Sequence, residues 1–587
     1  MYLEIKNKPK IIPGYMNGMK QPGLLFEIEI AQSPTYKNYK LLERYLMGSE
    51  ISEITYQSEI SEITYQSEIS LIQLFSKFII SIQGINHIFC SEHYFFDEIK
   101  KESHPQKSRL FKLTLPLANS KAMSLVIPWV LSLFNNLKFD SLETNGSILF
   151  SDEYKKLAIR LKAVRHPTQN HPLLIKAALD LDIPILSNNY EYLELGIGSS
   201  LMKFMSTITS KTSPIGIKLV ADKLKTSRIL SKLGMPAPVN FKVNNADECI
   251  IAAKKISYPV VIKPQDREQG RGVFANIIDE KTLIKSFNNA KNFSNNILIE
   301  KHCYGVGHRL TVFGDCVVKV TKKLPLGVVG DGKSTIAELI SDINKKKVNP
   351  DEFFDNEAKE LLIQQNLSIE SILDLDKFIP LRRTNNYSRG GSVEVIPLNQ
   401  VHPDNIDLAI SASRLFGLDI AGIDLIIPEI KISWLESEAI ICDINSQPQT
   451  DPDTIKYILR SLFKEQGRIP FHLIIVDDKK LTTYETKALN FAKKLKVNGV
   501  SSKNGIFING KRISKSMPSC FDASRALLHY SELESCLSIL SIKETILSGL
   551  PLDQFSSITI DASEITEENF SVLIKAIKPH TKSLVRI

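Results

Sequence analysis

VHPDNIDLAISASRLFGLDIAGIDLIIP (Val401 to Pro428) decides the fold of the central part of the chain, and AIICDINSQPQ (Ala439 to Gln449) completes it. The first stretch predicts a helix and then an apolar strand that carries Asp424. The second predicts the next strand, which carries Asp443 and Asn445. Because residues two apart on a strand leave the same face, these last two side chains should project together.

These three polar side chains predict a metal site. Two carboxylates and an amide oxygen on neighbouring strands suit Mg²⁺, which prefers oxygen ligands. For an isolated Asp-x-Asn, strand-end capping or a turn is the commoner explanation. The flanking apolar runs, however, place these groups where a solvated face is not expected. We therefore predict that Asp424, Asp443 and Asn445 are metal ligands.

Strands, turns and helices alternate upstream, as in an α+β nucleotide-binding unit. A helix and a short strand are predicted in residues 166–189, and SPIGIKLVADKLKTSRILSKLGMPAP (213–238) predicts a helix that ends at Gly234. YPVVIKP (258–264) and NNILIEKH (295–302) predict strands. HRLTVFGDCVVKVTKK (308–323) predicts a hairpin that turns at Gly314-Asp315.

Several residues of this region could contact phosphate. Lys263 ends an apolar strand, although a lone lysine there usually just reaches solvent. A short turn with Gly270 and Gly272 would let backbone N–H groups approach phosphate, although such a turn is weak evidence alone. Lys223 starts a helix, and Arg309 offers a bidentate fork for a transferring phosphoryl group. The order of these residues along the chain is more informative than any one of them.

Composition excludes several classes of protein. A chain of 587 residues is too long for one core and should form three or four domains. With 43% hydrophobic and 24% charged residues it reads as globular, and a net charge of +8 supports nucleic-acid or membrane binding only weakly. No apolar window is long enough for a membrane helix, and MYLEIKNKPK lacks the apolar core of a secretory signal. The seven cysteines are scattered without CxxC spacing, so we expect a reducing cytoplasm.

A nonapeptide repeat interrupts the N-terminal part. SEISEITYQ at 49–57 recurs unchanged at 58–66, and a third copy begins at 67–70. A period of nine fits neither a heptad nor a solenoid, and the pattern is compatible with a helix or a strand. We interpret it as a tandem duplication that lengthens a loop or surface element.

The stretch from about 165 to 470 closely resembles cyanophycin synthetases, which are ATP-grasp enzymes. The resemblance is carried by ADKLKTSRILSKLGMPAP, YPVVIKP, QGRGV, LIEKHCYG, RLTVFGD, NNYSRGGS and HPDN. VVGDGKSTIAELI and the pair GLDIAGIDLI and INSQP are more specific than a general ATP-grasp likeness.

The resemblance implies ATP and Mg²⁺ as cofactors and a role for each matched residue. Lys223 and Lys263 would contact phosphate, and Arg309 would stabilise the transferring phosphoryl group. The other implied ATP contacts are Gly270, Gly272, Glu300, Lys301 and Cys303, the last three at the adenine hinge. Ser388, Gly390 and Gly391 would hold the carboxylate end of the acceptor chain.

The sequence departs from the family at three places. Gly307 stands where an acidic residue should contact ribose, just before the arginine that follows the hinge. Asp443 replaces a longer glutamate, which would move a metal by about one methylene. The small residues expected after the asparagine are replaced by 446–449, SQPQ.

The C-terminal tail resembles the start of the family's second, Mur-ligase-like module. In HLIIVDDKKLTTYETKAL (472–489), Asp477 and Lys480 stand where glycines of a phosphate loop are expected, and Leu481 stands where its lysine should be. Near Ser541 the family's metal-binding run is replaced and shortened. We interpret the tail as a degenerate, truncated module without ATPase activity.

The sequence therefore predicts a multidomain α+β and α/β protein: an α/β N-terminal domain (1–165), an ATP-grasp domain (166–470) and a degenerate Mur-ligase-like domain (471–587). We expect a cytoplasmic, homo-oligomeric ATP-dependent peptide ligase. It would add an amino acid such as aspartate to a peptide or polymer C-terminus through an acyl phosphate. The alternative is a pseudoenzyme that binds nucleotide or peptide and regulates a partner. No motif supports nucleic-acid binding.

Overall fold

A computed structural model describes residues 3–31, 68–99, 108–136, 151–265, 272–345, 354, 356–382, 392–561, 563 and 566–587. The chain divides into two compact units. We call Met1–Ser206 with Thr450–Ile587 the split unit, and Thr207–Gln449 the central unit. The predicted domain boundaries at 165 and 470 stay predictions.

The N-terminal stretch of the split unit is an antiparallel sheet with three helices. The strands are β1 (Leu3–Ile5), β2 (Lys10–Ile12), β3 (Gly23–Ala31), β4 (Phe95–Ile99) and β5 (Ser108–Pro116), and the helices are α1 (Glu68–Ile85), α2 (Ser120–Asn136) and α3 (Asp152–Val164). The strand order is β1-β3-β5-β4, and β2 pairs with β3. Apolar residues of the sheet and of all three helices form one core. The nonapeptide copies at 49–66 lie outside the described residues, and Glu68 to Ser70 of the third copy begin α1.

The predicted helix and short strand in 166–189 are confirmed. The elements that follow α3 are α4 (Asn170–Asp180), β6 (Ile185–Asn188), β7 (Leu193–Leu195) and β8 (Met202–Met205). β6 and β8 both pair antiparallel with β7.

The central unit contains two antiparallel sheets and a small hairpin-like pair. Its strands are β9 (Ile208–Thr209), β10 (Asn240–Val243), β11 (Val260–Pro264), β12 (Phe274–Ile277), β13 (Ile297–Lys301), β14 (Val306–Phe313), β15 (Cys316–Leu324), β16 (Gly327–Val329), β17 (Phe378–Pro380), β18 (Ser392–Ile396), β19 (Ile420–Ile427) and β20 (Ile440–Asn445). Its helices are α5 (Pro214–Val220), α6 (Lys223–Lys232), α7 (Ala246–Ile256), α8 (Glu280–Lys291), α9 (Ile336–Lys345), α10 (Asn356–Gln364) and α11 (Pro403–Leu415).

Each sheet of the central unit has its own core. The first has the order β10-β13-β11-β12 and packs against α7 and α8. The second has the order β18-β15-β14-β19-β20 and packs against α11. The strands predicted at 258–264, 295–302 and 308–323, with the turn at Gly314, are confirmed, as are the helix and two strands that carry Asp424, Asp443 and Asn445.

The predicted helix start at Lys223 and helix end near Gly234 are confirmed by α6, but the preceding residues form a separate helix, α5, and not one continuous helix with it. Asp222 lies between them in an extended conformation, and its side chain accepts hydrogen bonds from the backbone N–H groups of Leu224 and Lys225. An aspartate that caps free N–H groups favours a new helix start over continuation. Lys223 is therefore the first residue of α6, and Gly234 lies beyond its end with φ of 77°.

The C-terminal stretch of the split unit forms a mostly parallel seven-stranded sheet. The strands are β21 (Phe471–Val476), β22 (Gly499–Ser502), β23 (Gly505–Ile508), β24 (Lys511–Arg512), β25 (Cys536–Ser541), β26 (Ser557–Asp561) and β27 (Leu584–Arg586). The helices are α12 (Pro452–Leu462), α13 (Leu481–Leu495), α14 (Cys520–Leu527), α15 (Ile542–Ser548) and α16 (Glu567–Ile577). The order is β24-β23-β22-β25-β21-β26-β27, and the apolar run of β21 is central, with a core on each face.

Over the described ranges of the chain, no helix combines the length and the apolar character that a membrane span requires.

Candidate active site

The register of β19 and β20 brings the predicted metal ligands together. Asp424 lies directly opposite Asp443, and Asn445 lies opposite Gly422. Directly opposed side chains of antiparallel strands leave the same face with Cβ atoms about 5 Å apart. The three predicted ligands therefore share one face of the sheet.

A bulge in β20 adjusts this arrangement. Asp424 pairs with Asp443, but the next residue, Leu425, pairs with Ile441, so that Cys442 is the extra residue. The Cys442 thiol donates to the backbone oxygen of Asp424 at 3.4 Å. Burial raises the pKa of this thiol to about 12, so it stays protonated.

Arg309 lies on the same face, one strand away. It is opposite Asp424 in the β14–β19 ladder. Its Nε and Nη2 donate to Asp424 Oδ1 and Oδ2 at 2.5 and 2.9 Å. This bidentate geometry is the strongest that an arginine and a carboxylate form.

Lys323 is a second cation on Asp424. Its ammonium lies 2.8 Å from Oδ1 of that carboxylate. Burial by itself raises the pKa of Asp424, but the charges and hydrogen bonds of Arg309 and Lys323 outweigh it and lower the pKa to about 2. Asp424 is therefore ionised at any physiological pH, although its residue is only 7% exposed.

Gly422 leaves the space in which Arg309 lies. A Cβ on this glycine would come within 2.8 Å of Arg309 Nη1 and within 3.0 Å of Pro448 Cβ. The arginine crosses β19 at this point because no side chain is there. Gly422, the second glycine of GLDIAGIDLI, therefore leaves the room that the Arg309 side chain occupies.

Lys263 is held by Glu300 on the adjacent strand. Its ammonium lies 2.7 Å from Glu300 Oε2, and both side chains are buried. Burial by itself lowers the pKa of Lys263, but Glu300 and the more distant groups Cys442 and Asp443 raise it above its usual value. Lys263 of β11 is therefore close enough to Cys442 and Asp443 of β20 for these groups to affect its pKa.

The side chains of the predicted hinge residues bind different protein groups. The carboxylate of Glu300 is used by Lys263, and Lys301 Nζ donates to the carbonyl oxygens of Ser257 and Tyr258 at 3.1 and 3.3 Å. The thiol of Cys303 donates to the carbonyl oxygen of Glu438 at 3.5 Å. Burial, followed by the charge of Glu438, raises the pKa of Cys303 to about 11.

Steric contacts and backbone conformation explain why residue 272 is a glycine. Its φ is 75°, and an added Cβ would lie 2.9 Å from both Phe293 Cδ2 and Pro264 Cγ. Lys223 lies half-buried at the start of α6. The other predicted contacts, Gly270, Ser388, Gly390 and Gly391, lie outside the described residues.

Two features of the candidate site were not predicted from the sequence: the ion pair of Lys323 with Asp424 and that of Glu300 with Lys263. Lys323 lies two residues after Thr321, which is opposite Arg309, so it leaves the same face of the sheet. That signal was available, because the hairpin turn at Gly314 fixes the register. The role of Glu300 as a partner of Lys263 depends on the pairing of two strands that are distant in sequence, which no local pattern indicates.

The donor set fits Mg²⁺. A carboxylate has about four lone-pair positions, and the three contacts of Asp424 leave one on Oδ2. Asn445 Nδ2 donates to the carbonyl of Gly422 at 3.4 Å, which leaves its side-chain oxygen for a metal. In the described part of the chain, no group of three or more His, Cys, Asp or Glu is placed to bind a metal. Two carboxylates and an amide oxygen, completed by phosphate oxygens and water, match the usual sites of Mg²⁺.

Two protein families match the region that contains these residues. Residues 222–312 match the family described as carbamoyl-phosphate synthase L chain, ATP binding domain. Residues 382–459 match the RimK-like ATP-grasp domain. These matches confirm the predicted ATP-grasp fold of the central region.

Similar proteins include known synthetases. A cyanophycin synthetase from Trichormus variabilis is 31% identical over 357 residues, which is 57% of this chain and 40% of that protein. A glutathione biosynthesis bifunctional protein GshAB from Mannheimia succiniciproducens is 27% identical over 269 residues, or 43% of this chain and 35% of that protein. The predicted resemblance to cyanophycin synthetases is confirmed, and the chain spans about 40% of the length of the relatives it matches first.

Solved structures give weaker similarities. A bifunctional glutathione synthetase from Pasteurella multocida has a TM-score of 0.38 at 21% identity, covering 58% of this chain and 51% of that one. A D-alanine–D-alanine ligase from Bacillus anthracis has a TM-score of 0.28 at 14% identity, covering 44% of this chain and 70% of that one.

Proposed function

We propose that this protein is an ATP- and Mg²⁺-dependent carboxylate–amine ligase that adds an amino acid such as aspartate to the C-terminus of a peptide or polymer. One observation carries the proposal: Arg309, Asp424, Asp443 and Asn445 share one face of the β14–β19–β20 sheet. Positive and negative groups are thereby fixed together, as phosphoryl transfer requires.

Asp443, Asn445 and the remaining lone pair of Asp424 would hold Mg²⁺. When bound, the ion would neutralise charge on the phosphate oxygens and orient them. Arg309 and Lys323 flank that place with positive charge. Asp424 positions both cations, and because they are fixed before the reaction they need little rearrangement as charge develops.

Lys263 and Lys223 are proposed to contact the phosphates of ATP. Lys263 is buried and fully charged, because its pKa is raised above the usual value by Glu300. Gly272 lies where the missing side chain allows close backbone approach. The chain from Glu300 to Cys303 would form the adenine hinge, with Ser388, Gly390 and Gly391 holding the acceptor.

The proposed reaction has two steps. A carboxylate oxygen of the acceptor attacks the γ-phosphorus of ATP, the bond to the β-phosphate oxygen breaks, and an acyl phosphate and ADP form. The neutral amine nitrogen of the incoming amino acid then attacks the acyl carbon, the acyl C–O bond to phosphate breaks, and inorganic phosphate leaves with that oxygen while the amine nitrogen releases one proton to solvent. Arg309 stabilises the phosphoryl group in the first step and the departing phosphate in the second.

The C-terminal stretch supports a single ligase site. At the place of the expected phosphate loop, Lys480 Nζ lies 3.0 Å from both carboxylate oxygens of Asp561, and Tyr484 donates to the same carboxylate at 3.0 Å. Lys480 and Leu481 stand where a phosphate loop has a glycine and its lysine, and the Asp561 carboxylate beside them would repel a phosphate group. We therefore propose that this stretch has no ATPase activity and that the chain forms one kind of amide bond.

Release of ADP tests the proposal. Purified protein with ATP and Mg²⁺ is assayed against the twenty amino acids, with and without an aspartate-containing peptide primer. ADP release that depends on one amino acid and on the primer is expected, and Asp424→Ala or Lys263→Ala should abolish it. Unchanged turnover in either variant would refute the site assignment.

A specific observation favours a second function. Both carboxylate oxygens of Asp424 and the ammonium of Lys263 are already engaged by protein groups. Such neutralised groups would also suit a pseudoenzyme that binds nucleotide or peptide and regulates a partner. Binding of ATP without turnover for any amino acid and primer would favour this alternative. Cytoplasmic location and homo-oligomer formation remain part of the proposal.

A further inference from the structure

A cavity of about 370 Å³ lies within the split unit and contains none of the proposed ligase residues. Small-molecule sites usually have volumes of about 300–1,000 Å³, so this cavity could enclose a small metabolite. Its wall is formed by the segment around Tyr15, by residues of α4 and β6, and by Arg468, Arg525 and Asp553.

The cavity carries an unbalanced positive charge. Its charged residues are the three cations Lys20, Arg468 and Arg525 and the two carboxylates Asp182 and Asp553. Lys20 pairs with Asp182 at 2.9 Å, and Arg468 forms a bidentate pair with Asp553 at 2.8 and 2.9 Å. Arg525 forms no ion pair with a carboxylate of any residue that the structure describes, and one positive charge therefore remains.

Arg525 is fixed but keeps donors for a ligand. Its Nη1 and Nη2 donate to the carbonyl oxygens of Pro551 and Leu186 at 3.2 and 2.6 Å. It also hydrogen-bonds the hydroxyl of Tyr15. A guanidinium has five N–H groups, so these contacts leave donors unused.

Tyr15 adds a donor beside Arg525. A guanidinium only donates, so the Tyr15 oxygen accepts from it and the Tyr15 O–H remains able to donate. The backbone of Tyr15 is held by reciprocal hydrogen bonds with Leu550, both 2.8 Å long. The residue itself is 3% exposed, so its hydroxyl has little access to bulk water. A ligand oxygen in the cavity could therefore accept a hydrogen bond from this O–H.

A second buried donor lies in the wall. Within the described part of the chain, Nε of Arg468 is buried and has no hydrogen-bond partner. The rest of the wall is largely apolar, with Phe89, Leu117, Ile175 and Leu179 among its residues. The cavity therefore combines a few polar donors with apolar walls, as ligand sites commonly do.

We propose that this cavity is a binding site for the carboxylate group of an amino acid or of a short peptide, with Arg525 and Tyr15 as its partners. A guanidinium fork matches the two oxygens of a carboxylate. The single unbalanced positive charge suits a monoanion. A phosphate dianion would carry excess charge beside Asp182 and Asp553 and is disfavoured. The site is separate from the ligase residues, and its binding does not require turnover.

Calorimetric titration of the full-length protein without ATP tests this proposal. The probes are the twenty amino acids, tri-aspartate with a free C-terminus, tri-aspartate with an amidated C-terminus, and inorganic phosphate. Two variants are compared with the wild type. Arg525→Met removes the guanidinium, and Ala118→Leu fills part of the cavity while leaving Arg525 in place. Asp424→Asn in the central unit serves to separate binding at the ligase site.

We expect saturable binding of at least one probe with a free carboxylate. Its affinity should fall tenfold or more in both cavity variants. Its affinity should be unchanged in Asp424→Asn. Binding of a free amino acid identifies a metabolite site. Binding of tri-aspartate that amidation abolishes identifies a site for a peptide C-terminus. The proposal is overturned if no carboxylate probe binds up to about 10 mM. It is also overturned if neither cavity variant weakens binding, or if phosphate alone binds through Arg525.

Discussion

Arg309 and Asp424 set the charge of the site at the scale of single residues. Each neutralises the other, and the bidentate pair holds the guanidinium in one orientation. Removal of Asp424 would leave the largely buried Arg309 guanidinium unpaired, which typically costs about 3–5 kcal/mol, whereas removal of Arg309 would leave Asp424 paired with Lys323 alone. The pair therefore contributes to stability as well as to the proposed chemistry, and a conservative change is the more informative test.

Arg309→Lys should lower kcat by about 100-fold while changing the KM for ATP little. A lysine keeps the charge but cannot bind Asp424 and a phosphoryl group through a planar fork. Steady-state kinetics of ADP release would measure both constants. Arg414→Lys is the matched control, because Arg414 pairs with Asp315 at an exposed turn of the same sheet. An equal loss in both variants would contradict the role given to Arg309.

His171 predicts a pH dependence of stability in the split unit. Burial lowers the pKa of this imidazole, a hydrogen bond with Asn188 opposes that shift, and nearby His166 adds to it, giving a pKa of about 4. The unfolded chain, with a histidine pKa near 6.5, binds the proton first as pH falls. The contribution of neutral His171 to the free energy of unfolding is therefore fully present at neutral pH. This contribution, roughly 2–3 kcal/mol, is lost as the pH falls from about 6.5 to about 4.

Calorimetric unfolding between about pH 7.5 and pH 5 measures this effect. The wild-type transition of the split unit should shift to lower temperature as pH falls, whereas His171→Gln should flatten that dependence. A variant with the same pH slope as the wild type would show that another group is responsible.

At the scale of elements, the strands of the site were predictable and their exact alignment was not. Apolar runs that end in polar residues mark β11, β19 and β20, and the hairpin turn marks β14 and β15. The ion pair between Lys263 and Glu300 arises from the pairing of β11 with β13, which are distant in sequence, and the extra residue Cys442 arises from the detailed register of the consecutive strands β19 and β20. Such pairings depend on packing of the whole sheet, so local patterns do not contain them.

Gly422→Ala should lower ligase turnover without unfolding the central unit. The added Cβ would meet the end of the Arg309 side chain and Pro448, and a flexible arginine can move away from it. Displacement of the guanidinium by about 1 Å can cost roughly 100-fold in rate. Rates and thermal unfolding of the variant would be measured together.

Gly314→Asn is the control for that substitution. Gly314 lies at the β14–β15 turn with φ of 56°, and an added Cβ meets nothing within 4 Å. Asparagine tolerates this backbone conformation, so activity should be unchanged. If Gly422→Ala behaves like this control, the steric role of Gly422 is wrong.

At the scale of the whole molecule, the central unit is one continuous stretch and the split unit is formed from two. Residues 1–206 and 450–587 come together although about 240 residues separate them. Composition shifts along a sequence indicate where one pattern ends, but not which distant stretches pack together. The cavity proposed for carboxylate binding could not be predicted from the sequence, because Tyr15 and Arg525 become neighbours only when the split unit folds.

The central claim is that the protein activates a carboxylate by transferring phosphate to it. A peptide acceptor whose C-terminal carboxylate contains ¹⁸O tests this claim most directly, with mass measurement of the phosphate released in the presence of ATP, Mg²⁺ and amino acid. An acyl phosphate requires that one ¹⁸O atom pass to phosphate for each amide bond formed. Phosphate without ¹⁸O, or amide formation without ADP release, would contradict the account.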